Sequence, residues 1–183
     1  VKYDKTSKNW IGPFIMAAIN TKIVRRSNAL SGYLYGKDFE YDEATLGGKG
    51  FSGRLKSILM SIPIAVVMLA KPGSIIKKIV DKVLPSAGEG PSKKDRESGY
   101  FNLRFYVTYK DGSSSLAKVT GDMDPGYGST SKMLSESAVC LAVDKLNGSY
   151  GVVTPSTAMG ENLLERLKNN SGLTFNIKHL WTI

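Results

Sequence analysis

The stretch Gly121-Asp-Met-Asp-Pro-Gly-Tyr-Gly-Ser-Thr130 joins two apolar segments of the sequence. Residues 116–120 are predicted to form a β-strand, and residues 129–146 are predicted to form a helix. The three glycines let the backbone turn sharply and approach a ligand closely. Because the hydroxyls of residues 129–131 can cap a helix, the sequence predicts free amide groups and a positive dipole end above the turn.

Two interpretations of this turn remain open. Its amides and the helix N-terminus would suit an anionic or polar group of a ligand. Alternatively, the turn is a well-capped connection that binds nothing, and its acidic residues are solvated. Single glycine-rich turns occur in both roles, so the pattern alone does not decide between them.

The composition favours a globular domain, with 183 residues, 42% hydrophobic and 22% charged. The net charge of +9 would suit an anionic partner. No aromatic side chains interleave with the basic clusters at 22–26, 71–82 and 93–96, so nucleic-acid binding is not expected. Cys140 is the only cysteine, which excludes an internal disulfide and a cysteine-based zinc site. His179 is the only histidine and lies near a terminus, which argues against a histidine-dependent triad and a histidine-rich metal site. No metal site is predicted.

Residues 10–24 are predicted to form a helix with Pro13 in its first turn and basic residues in its last. Two roles for Arg25 and Arg26 remain open. They are favourable charges at a helix C-terminus, or they grip a phosphate or carboxylate with their planar guanidinium groups. Residues 33–41, which are rich in aromatics and glycine, are predicted to form a strand between turns.

The segment Gly48-Lys-Gly-Phe-Ser-Gly53 matches the spelling G-x-G-x-x-G of a dinucleotide-binding turn. That motif requires a buried apolar strand directly before it. Residues 42–47 are predicted to be a polar loop, so we do not assign this segment to a dinucleotide.

The most apolar stretch, residues 55–70, belongs to a helical hydrophobic insertion at about 54–84. Its uncharged part is shorter than the ~20 residues of a spanning helix, and Pro63 is expected to interrupt it. It is therefore predicted to be a buried helix or a segment in a membrane interface. Residues 75–84 form an amphipathic pattern that either covers the core or rests on anionic lipid. The candidate membrane-surface residues are Lys77, Lys78 and Lys82.

The second half of the sequence predicts strands and helices in the order β-β-α-β-α-β. Residues 85–99 are expected to be an exposed connection, and residues 100–109 alternate as a strand that pairs antiparallel with 116–120 through a turn at Asp111-Gly112. A helix at 129–146, covered on more than one side, is predicted to follow and to end in a turn at Gly148 and Gly151. After it come a short strand at 152–154, a helix from Thr154-Pro155 to 169 and a last strand at 173–177. Cys140 is predicted to be a core residue. The fold class is α+β, with a mixed or antiparallel sheet and flanking helices.

Five blocks of sequence, in this order and spacing, resemble the saccharopine dehydrogenase-like oxidoreductases, whose relatives include the trans-acting enoyl reductases of mycobacterial lipid synthesis. The blocks are Gly12-Pro-Phe14, Val24-Arg-Arg-Ser27, Gly88-Glu-Gly-Pro-Ser92 with Arg96 and Gly99, Asp124-Pro-Gly-Tyr-Gly128 through Lys132-Met-Leu-Ser-Glu-Ser137, and Thr154-Pro155 with Met159-Gly160. The resemblance covers nearly the whole chain but only the C-terminal part of such proteins, and their N-terminal Rossmann domain has no counterpart in it.

The resemblance implies that residues 1–183, which begin at Val1 without Met, are an incomplete C-terminal catalytic or substrate domain of an NAD(P)-dependent oxidoreductase. NAD or NADP would be bound mainly outside this chain, and the chain alone would bind none. The implied partners are the Rossmann domain of the same protein, a second copy in a homodimer, and a membrane or lipid surface. The implied location is intracellular, in association with lipid.

The resemblance also implies a substrate cleft, whose chemistry would rest largely with the cofactor. The candidate substrate-binding residues are Arg25, Arg26, Gly121, Asp124, Gly126, Tyr127, Gly128, Ser129 and Thr130, while Asp122, Asp124 and Tyr127 are candidates for handling or orienting a proton. No catalytic residue is assigned. The alternative function is a non-enzymatic membrane-surface or scaffold module that uses the lysines of residues 75–84.

Overall fold

A computed structural model describes residues 1–83, 85, 88–146 and 150–180. The chain forms two compact units, Val1–Glu89 and Gly90–Ile183. Each contains a three-stranded antiparallel sheet. The α+β class and the antiparallel pairing are therefore as expected. It remains a prediction that the chain is one incomplete substrate domain and that it is related to a Rossmann-type dehydrogenase.

The first unit has its sheet in the order β1-β2-β3 and three helices. Its elements are β1 (Lys2–Asp4), β2 (Asn9–Pro13), α1 (Ala17–Leu30), β3 (Ala44–Gly48), α2 (Gly50–Leu69) and α3 (Ile75–Val83). The helix α2 packs on β2 and β3, and α3 contacts α2.

The predicted helix at residues 10–24 is wrong in its first part. Trp10 lies in β2, opposite Tyr3 of β1, with the two rings in edge-to-face contact at 5.8 Å. This cross-strand aromatic pair stabilises a strand, and α1 begins only at Ala17. Since α1 continues to Leu30, Arg25 and Arg26 lie within the helix and not in its last turn.

No strand forms at residues 33–41, again contrary to the prediction. The backbone leaves α1 through Tyr33, which has a positive φ of 62°. The buried Asn28 side chain then holds the turn, because its amide donates to the Gly36 carbonyl at 2.9 Å and its oxygen accepts from the Tyr35 amide at 2.9 Å. These bonds give the backbone partners that a neighbouring strand would otherwise supply.

The apolar helix α2 runs for 20 residues without a break at Pro63, so the expected interruption does not occur. By length and composition it could cross a membrane, although such a helix is weak evidence for a span. Its only buried residues in the described chain are Gly53 and Ser57. The alternative of a buried helix is therefore wrong for this chain.

The second unit has its sheet in the order β4-β5-β6, with β5 in the centre. Its elements are α4 (Lys93–Ser98), β4 (Phe101–Thr108), β5 (Ser114–Gly121), α5 (Gly128–Val143), α6 (Pro155–Asn170) and β6 (Thr174–Leu180). The strands and their antiparallel pairing confirm the predicted hairpin and last strand.

Two details of the second unit differ from the sequence prediction. The connection at residues 85–99 contains α4, which is capped by Ser92 through a hydrogen bond from the Asp95 amide. No strand forms at 152–154, because Thr154 is the N-cap of α6 and takes part in a capping box with Thr157. The order after residue 100 is therefore β-β-α-α-β. The predicted helix end at Gly148 lies outside the described residues.

The small core of the second unit lies between α5 and α6, where Cys140 is fully buried against Met159 and Leu163. The prediction that Cys140 is a core residue is confirmed. Burial raises the pKa of its thiol, and the neighbouring Asp144 acts in the same direction. The expectation that α5 is covered on several sides is wrong within the described chain, since Leu134, Leu141 and Val143 are exposed.

An ion-pair cluster fixes the end of α5 to α6. Arg166 donates from Nε and Nη2 to the two carboxylate oxygens of Asp144 at 2.7 and 2.6 Å, and from Nη1 to Glu136 at 3.2 Å. This bidentate geometry lowers the pKa of the Asp144 carboxyl to about 2.

Replacement of Arg166 by glutamine is expected to raise the pKa of Asp144 from about 2 towards its ordinary value of 3.8. Because the folded-state pKa is lowered, the pair stabilises the fold above pH 3.8, and this contribution is lost as the pH falls through about 2. Carboxyl NMR titration measures the shift. Lys132→Gln, which removes only the pair with Asp122, should leave Asp144 unchanged. An unshifted Asp144 in the Arg166 variant would contradict the prediction.

Candidate functional site

The turn between β5 and α5 is organised by the Asp124 carboxylate. One of its oxygens accepts from the amides of Gly126 and Tyr127, each at 3.0 Å, and the other accepts from the Gly128 amide at 2.5 Å. The amides that the sequence predicts to be free for a ligand therefore bind an anion that the turn itself provides. Asp124 thus closes a local turn of the kind that aspartate favours.

The predicted hydroxyl caps of α5 are wrong. The N-cap is Tyr127, without a side-chain hydrogen bond. The hydroxyls of Ser129, Thr130 and Ser131 donate instead to the carbonyls of Met123, Pro125 and Gly128, at 3.1, 2.6 and 2.9 Å respectively. A carboxylate with two acceptor oxygens satisfies three amides at once, which a single hydroxyl cannot do.

Asp124 is held in its charged form. The hydrogen bond from the Gly128 amide lowers the pKa of this carboxyl most, those from Tyr127 and Gly126 add to the effect, and the positive charge of Arg96 acts in the same direction. A group that is charged and fully engaged in this way supports the turn and is poorly suited to transfer a proton.

The helix α4 interlocks with this turn. The Asp124 amide donates to the Arg96 carbonyl at 3.0 Å. A Cβ on Gly99 would lie 2.6 to 2.7 Å from Asp124 backbone atoms, and a Cβ on Gly90 would meet the Tyr127 ring at 3.4 Å. The Arg96 guanidinium donates to the Pro91 carbonyl at 2.8 Å. We call this arrangement of residues 90–99 and 123–128 the α4–turn cluster.

An open cleft of about 390 Å³ lies beside the α4–turn cluster. Its lining combines basic, acidic, phenolic and hydroxyl groups: Lys93, Arg96, Glu97, Met123, Tyr127, Gly128 and Ser131. Lysine and arginine on one side and an exposed phenol on the other could hold a polar or anionic group.

The structure brings together most of the predicted site residues. Gly121, Asp124, Gly126, Tyr127, Gly128, Ser129 and Thr130 all lie in or beside the β5–α5 turn. Arg25 and Arg26 belong to α1 of the first unit, where Arg25 donates weakly to the Tyr41 carbonyl at 3.4 Å. Lys93, Arg96 and Ser131 were not predicted as site residues. The block Gly88–Ser92 with Arg96 and Gly99 could have identified this region, because Gly90 and Gly99 of the block lie against the turn.

Asp122 is also engaged by the fold. Both of its carboxylate oxygens accept from Lys132 Nζ, at 3.0 and 3.1 Å. A Cβ on Gly172 would overlap the Asp122 carboxyl group, so the glycine is needed for this approach. Of the three candidates for handling a proton, Asp122 and Asp124 are bound by other groups of the fold. The exposed side chain of Tyr127 lines the cleft and has neither an ion pair nor a hydrogen bond within the described residues.

The segment before the Gly48–Gly53 turn is not the predicted polar loop. A strand, β3, does precede it and α2 follows. However, β3 pairs antiparallel with β2, whereas the dinucleotide motif belongs to a mostly parallel sheet. A Cβ on Gly53 would overlap the carbonyl carbon and oxygen of Gly48, so this glycine allows α2 to pack closely on β3. In the β5–α5 turn the amides are already satisfied by Asp124. The amides of that turn are therefore not free for a pyrophosphate.

Among the residues that the structure describes, no three His, Cys, Asp or Glu side chains are grouped so that they could hold a metal ion.

The chain is similar to bacterial oxidoreductases. A Mycobacterium tuberculosis protein provisionally named a trans-acting enoyl reductase is 41% identical over 167 residues, which cover 86% of this chain and 39% of that protein. Trans-acting enoyl reductases of Mycobacterium ulcerans and Mycobacterium leprae are 39% and 37% identical over 163 residues, with the same coverage. The chain thus spans 39% of the length of these relatives. No protein-family model and no solved structure matches the chain.

Proposed function

We propose that this chain is the substrate-binding and dimerisation region of an NAD(P)-dependent oxidoreductase that reduces an enoyl group in a lipid-like substrate. The observation that carries this proposal is the 36–41% identity to proteins named trans-acting enoyl reductases, over most of the chain. The cofactor would be held by a Rossmann domain outside these residues, because Asp124 occupies the amides of the β5–α5 turn and the Gly48–Gly53 turn follows an antiparallel strand.

The cleft beside the α4–turn cluster is the part of the chain that we assign to the substrate. Lys93 and Arg96 would hold a polar or anionic end of the substrate. Tyr127, whose side chain is 55% exposed, would orient the reacting group through its phenol. Asp122 and Asp124 would keep the cleft in shape and take no part in proton transfer, because each is bound to groups of the fold.

The test uses the native polypeptide that contains these residues, after intact-mass measurement and N-terminal sequencing. We expect it to oxidise NADH or NADPH in the presence of an α,β-unsaturated acyl thioester. Tyr127→Phe is expected to lower kcat/KM about 10-fold to 100-fold, the loss typical of one orienting or proton-handling group. Tyr150→Phe is the matched control, because this tyrosine is 94% exposed and does not line the cleft.

Three results would contradict the proposal. An oxidoreductase role fails if the native polypeptide shows no cofactor oxidation with acyl thioesters of several chain lengths. The site assignment alone fails if Tyr127→Phe and Tyr150→Phe behave alike in an active enzyme. Tight NADPH binding by residues 1–183 in isolation would contradict the assignment of the cofactor to another domain.

A further inference from the structure

The second half of α2 exposes an apolar surface in the first unit. Gly53 and Ser57, in the first half of the helix, are buried, and this half packs on β2 and β3. Beyond residue 57 the large apolar side chains other than the half-buried Ile64 are exposed, with Met68 at 81% and Leu69 at 62%. A helix with this pattern is held by the protein at one end and available to an apolar environment at the other.

The helix α3 adds an apolar stripe bordered by lysines. Ile75, Ile79 and Val83 recur at intervals of four residues, so they lie on one face, and all three are exposed. Lys78 and Lys82 follow three residues after Ile75 and Ile79, which places them along one edge of the stripe. An apolar stripe with a basic edge is typical of helices that lie in a membrane interface.

Lys77 differs from the other two lysines of α3. It forms an ion pair with Asp81 on the same helix, so the two charges compensate each other. The sequence grouped Lys77 with Lys78 and Lys82 as one basic face, and the structure separates it from them. Attraction to an anionic surface is therefore expected to depend on Lys78 and Lys82.

The excess positive charge of α2, α3 and their connection favours an anionic partner. Residues 49–83 contain seven of the 25 Lys and Arg residues of the chain and only one of its 16 Asp and Glu residues. A second copy docked on the same surface would bring like charges together, which is unfavourable. An anionic lipid bilayer satisfies both the exposed apolar side chains and the excess positive charge.

The same helices limit how deeply the chain can enter a bilayer. Residues 57–70 contain no charged side chain. At about 1.5 Å per residue they extend roughly 21 Å, less than the ~30 Å of a hydrocarbon core. The earlier part of α2 carries Arg54 and Lys56 and is held against the sheet. The surface thus suits one leaflet rather than a complete crossing.

We propose that residues 58–83 bind the surface of an anionic lipid bilayer, with the apolar side chains of α2 and the stripe of α3 in one leaflet and Lys78 and Lys82 at the lipid phosphates. This interaction is separate from the oxidoreductase role and does not depend on it. It would place the whole chain at a membrane surface, where lipid-like molecules are concentrated.

Vesicle co-sedimentation of the full chain tests the charge requirement. The chain should bind vesicles of phosphatidylcholine with phosphatidylserine, and binding should weaken with salt and with removal of phosphatidylserine. The double change Lys78→Glu and Lys82→Glu should weaken binding about 30-fold or more, from about fivefold per lysine near such a surface. The matched control, Lys2→Glu and Lys5→Glu on the exposed edge of the first unit, carries the same change in charge and should have a much smaller effect.

An environment-sensitive dye tests the apolar contact. Cys140 is fully buried, so the dye should react with a cysteine introduced by Met68→Cys or, as a control, by Leu134→Cys in the second unit. With anionic vesicles, the emission of the dye at position 68 should shift to the blue and that at position 134 should not. The proposal is overturned if vesicles do not bind, if both lysine pairs act alike, or if the blue shift at position 68 arises from dimer formation without lipid.

Discussion

Gly99→Ala is expected to destabilise the second unit by about 3 kcal/mol, the upper part of the range for overpacking a well-packed site. The added Cβ would lie 2.6 Å from the Asp124 amide nitrogen and 2.7 Å from its Cα. These are backbone atoms of a turn whose hydrogen bonds include three to the Asp124 carboxylate and one from the Asp124 amide to the Arg96 carbonyl. The turn cannot move away without losing some of them. Urea unfolding monitored by circular dichroism measures the change.

Gly90→Ala provides a matched control for this prediction. Gly90 is also a glycine beside α4 that packs on the turn, but its added Cβ would meet the Tyr127 ring at 3.4 Å or more, an ordinary van der Waals contact. We expect a change within about 0.5 kcal/mol, as for most substitutions without a packing conflict. If the two variants are equally stable, α4 does not interlock with the turn as the structure shows.

The consequence of Gly99→Ala for function follows from the position of α4. Lys93 and Arg96 on α4 line the same cleft as Tyr127 of the turn. Displacement of α4 would widen this cleft and separate the groups that we assign to the substrate. In the native polypeptide, the variant should therefore raise KM even at a temperature where it remains folded.

Local sequence patterns predicted the elements whose partners lie close in the chain. The hairpin of β4 and β5 follows from alternation and from the Asp111-Gly112 turn, where the Asp111 carboxylate accepts from the Ser113 amide at 2.9 Å. The start of α6 follows from Thr154-Pro155, whose capping box involves neighbouring residues only. In both cases the decisive interactions are within a few residues, so they can be recognised without a fold.

The errors arise where a residue distant in the sequence determines the local structure. Trp10 has helical apolar spacing around it, but pairing with Tyr3 and Gly48 makes it a strand residue. The predicted caps of α5 are correct residue types for the task, yet Asp124 takes the amides because its carboxylate reaches three of them. The Asp144–Arg166 pair joins residues on either side of an interhelical connection, which a pattern within one helix does not reveal.

The candidate site shows the same division. The composition of the β5–α5 turn identified the correct place in the fold, but its interpretation as a ring of free amides was wrong. The cleft depends on α4, which the sequence assigned to an exposed connection. The blocks of resemblance include Gly90 and Gly99, but they gave no physical reason for these glycines. In the structure, Gly99 and Gly90 are the points at which α4 and its flanking segment approach the turn.

Gly53→Ala is expected to destabilise the first unit by about 3 kcal/mol, although helix propensity alone predicts the opposite. Within a helix, alanine is more favourable than glycine by about 1 kcal/mol. Here the added Cβ would overlap the carbonyl group of Gly48 at the end of β3, and backbone atoms cannot rotate away as a side chain can. The helix would have to separate from the strand. Hydrogen exchange should therefore increase in β2, β3 and the first half of α2, while the second unit keeps its protection.

Ser52→Ala is the control, since Ser52 is exposed and precedes Gly53 on the same helix. It gains helix propensity and loses only a long hydrogen bond, 3.5 Å from its hydroxyl to the Lys49 carbonyl. The sign of the Gly53 result shows whether this glycine is needed for packing. If the close approach of α2 to β3 requires it, Gly53→Ala is less stable than the parent although Ser52→Ala is not. A stabilised Gly53→Ala variant would contradict the packing role, because helix propensity would then decide the outcome.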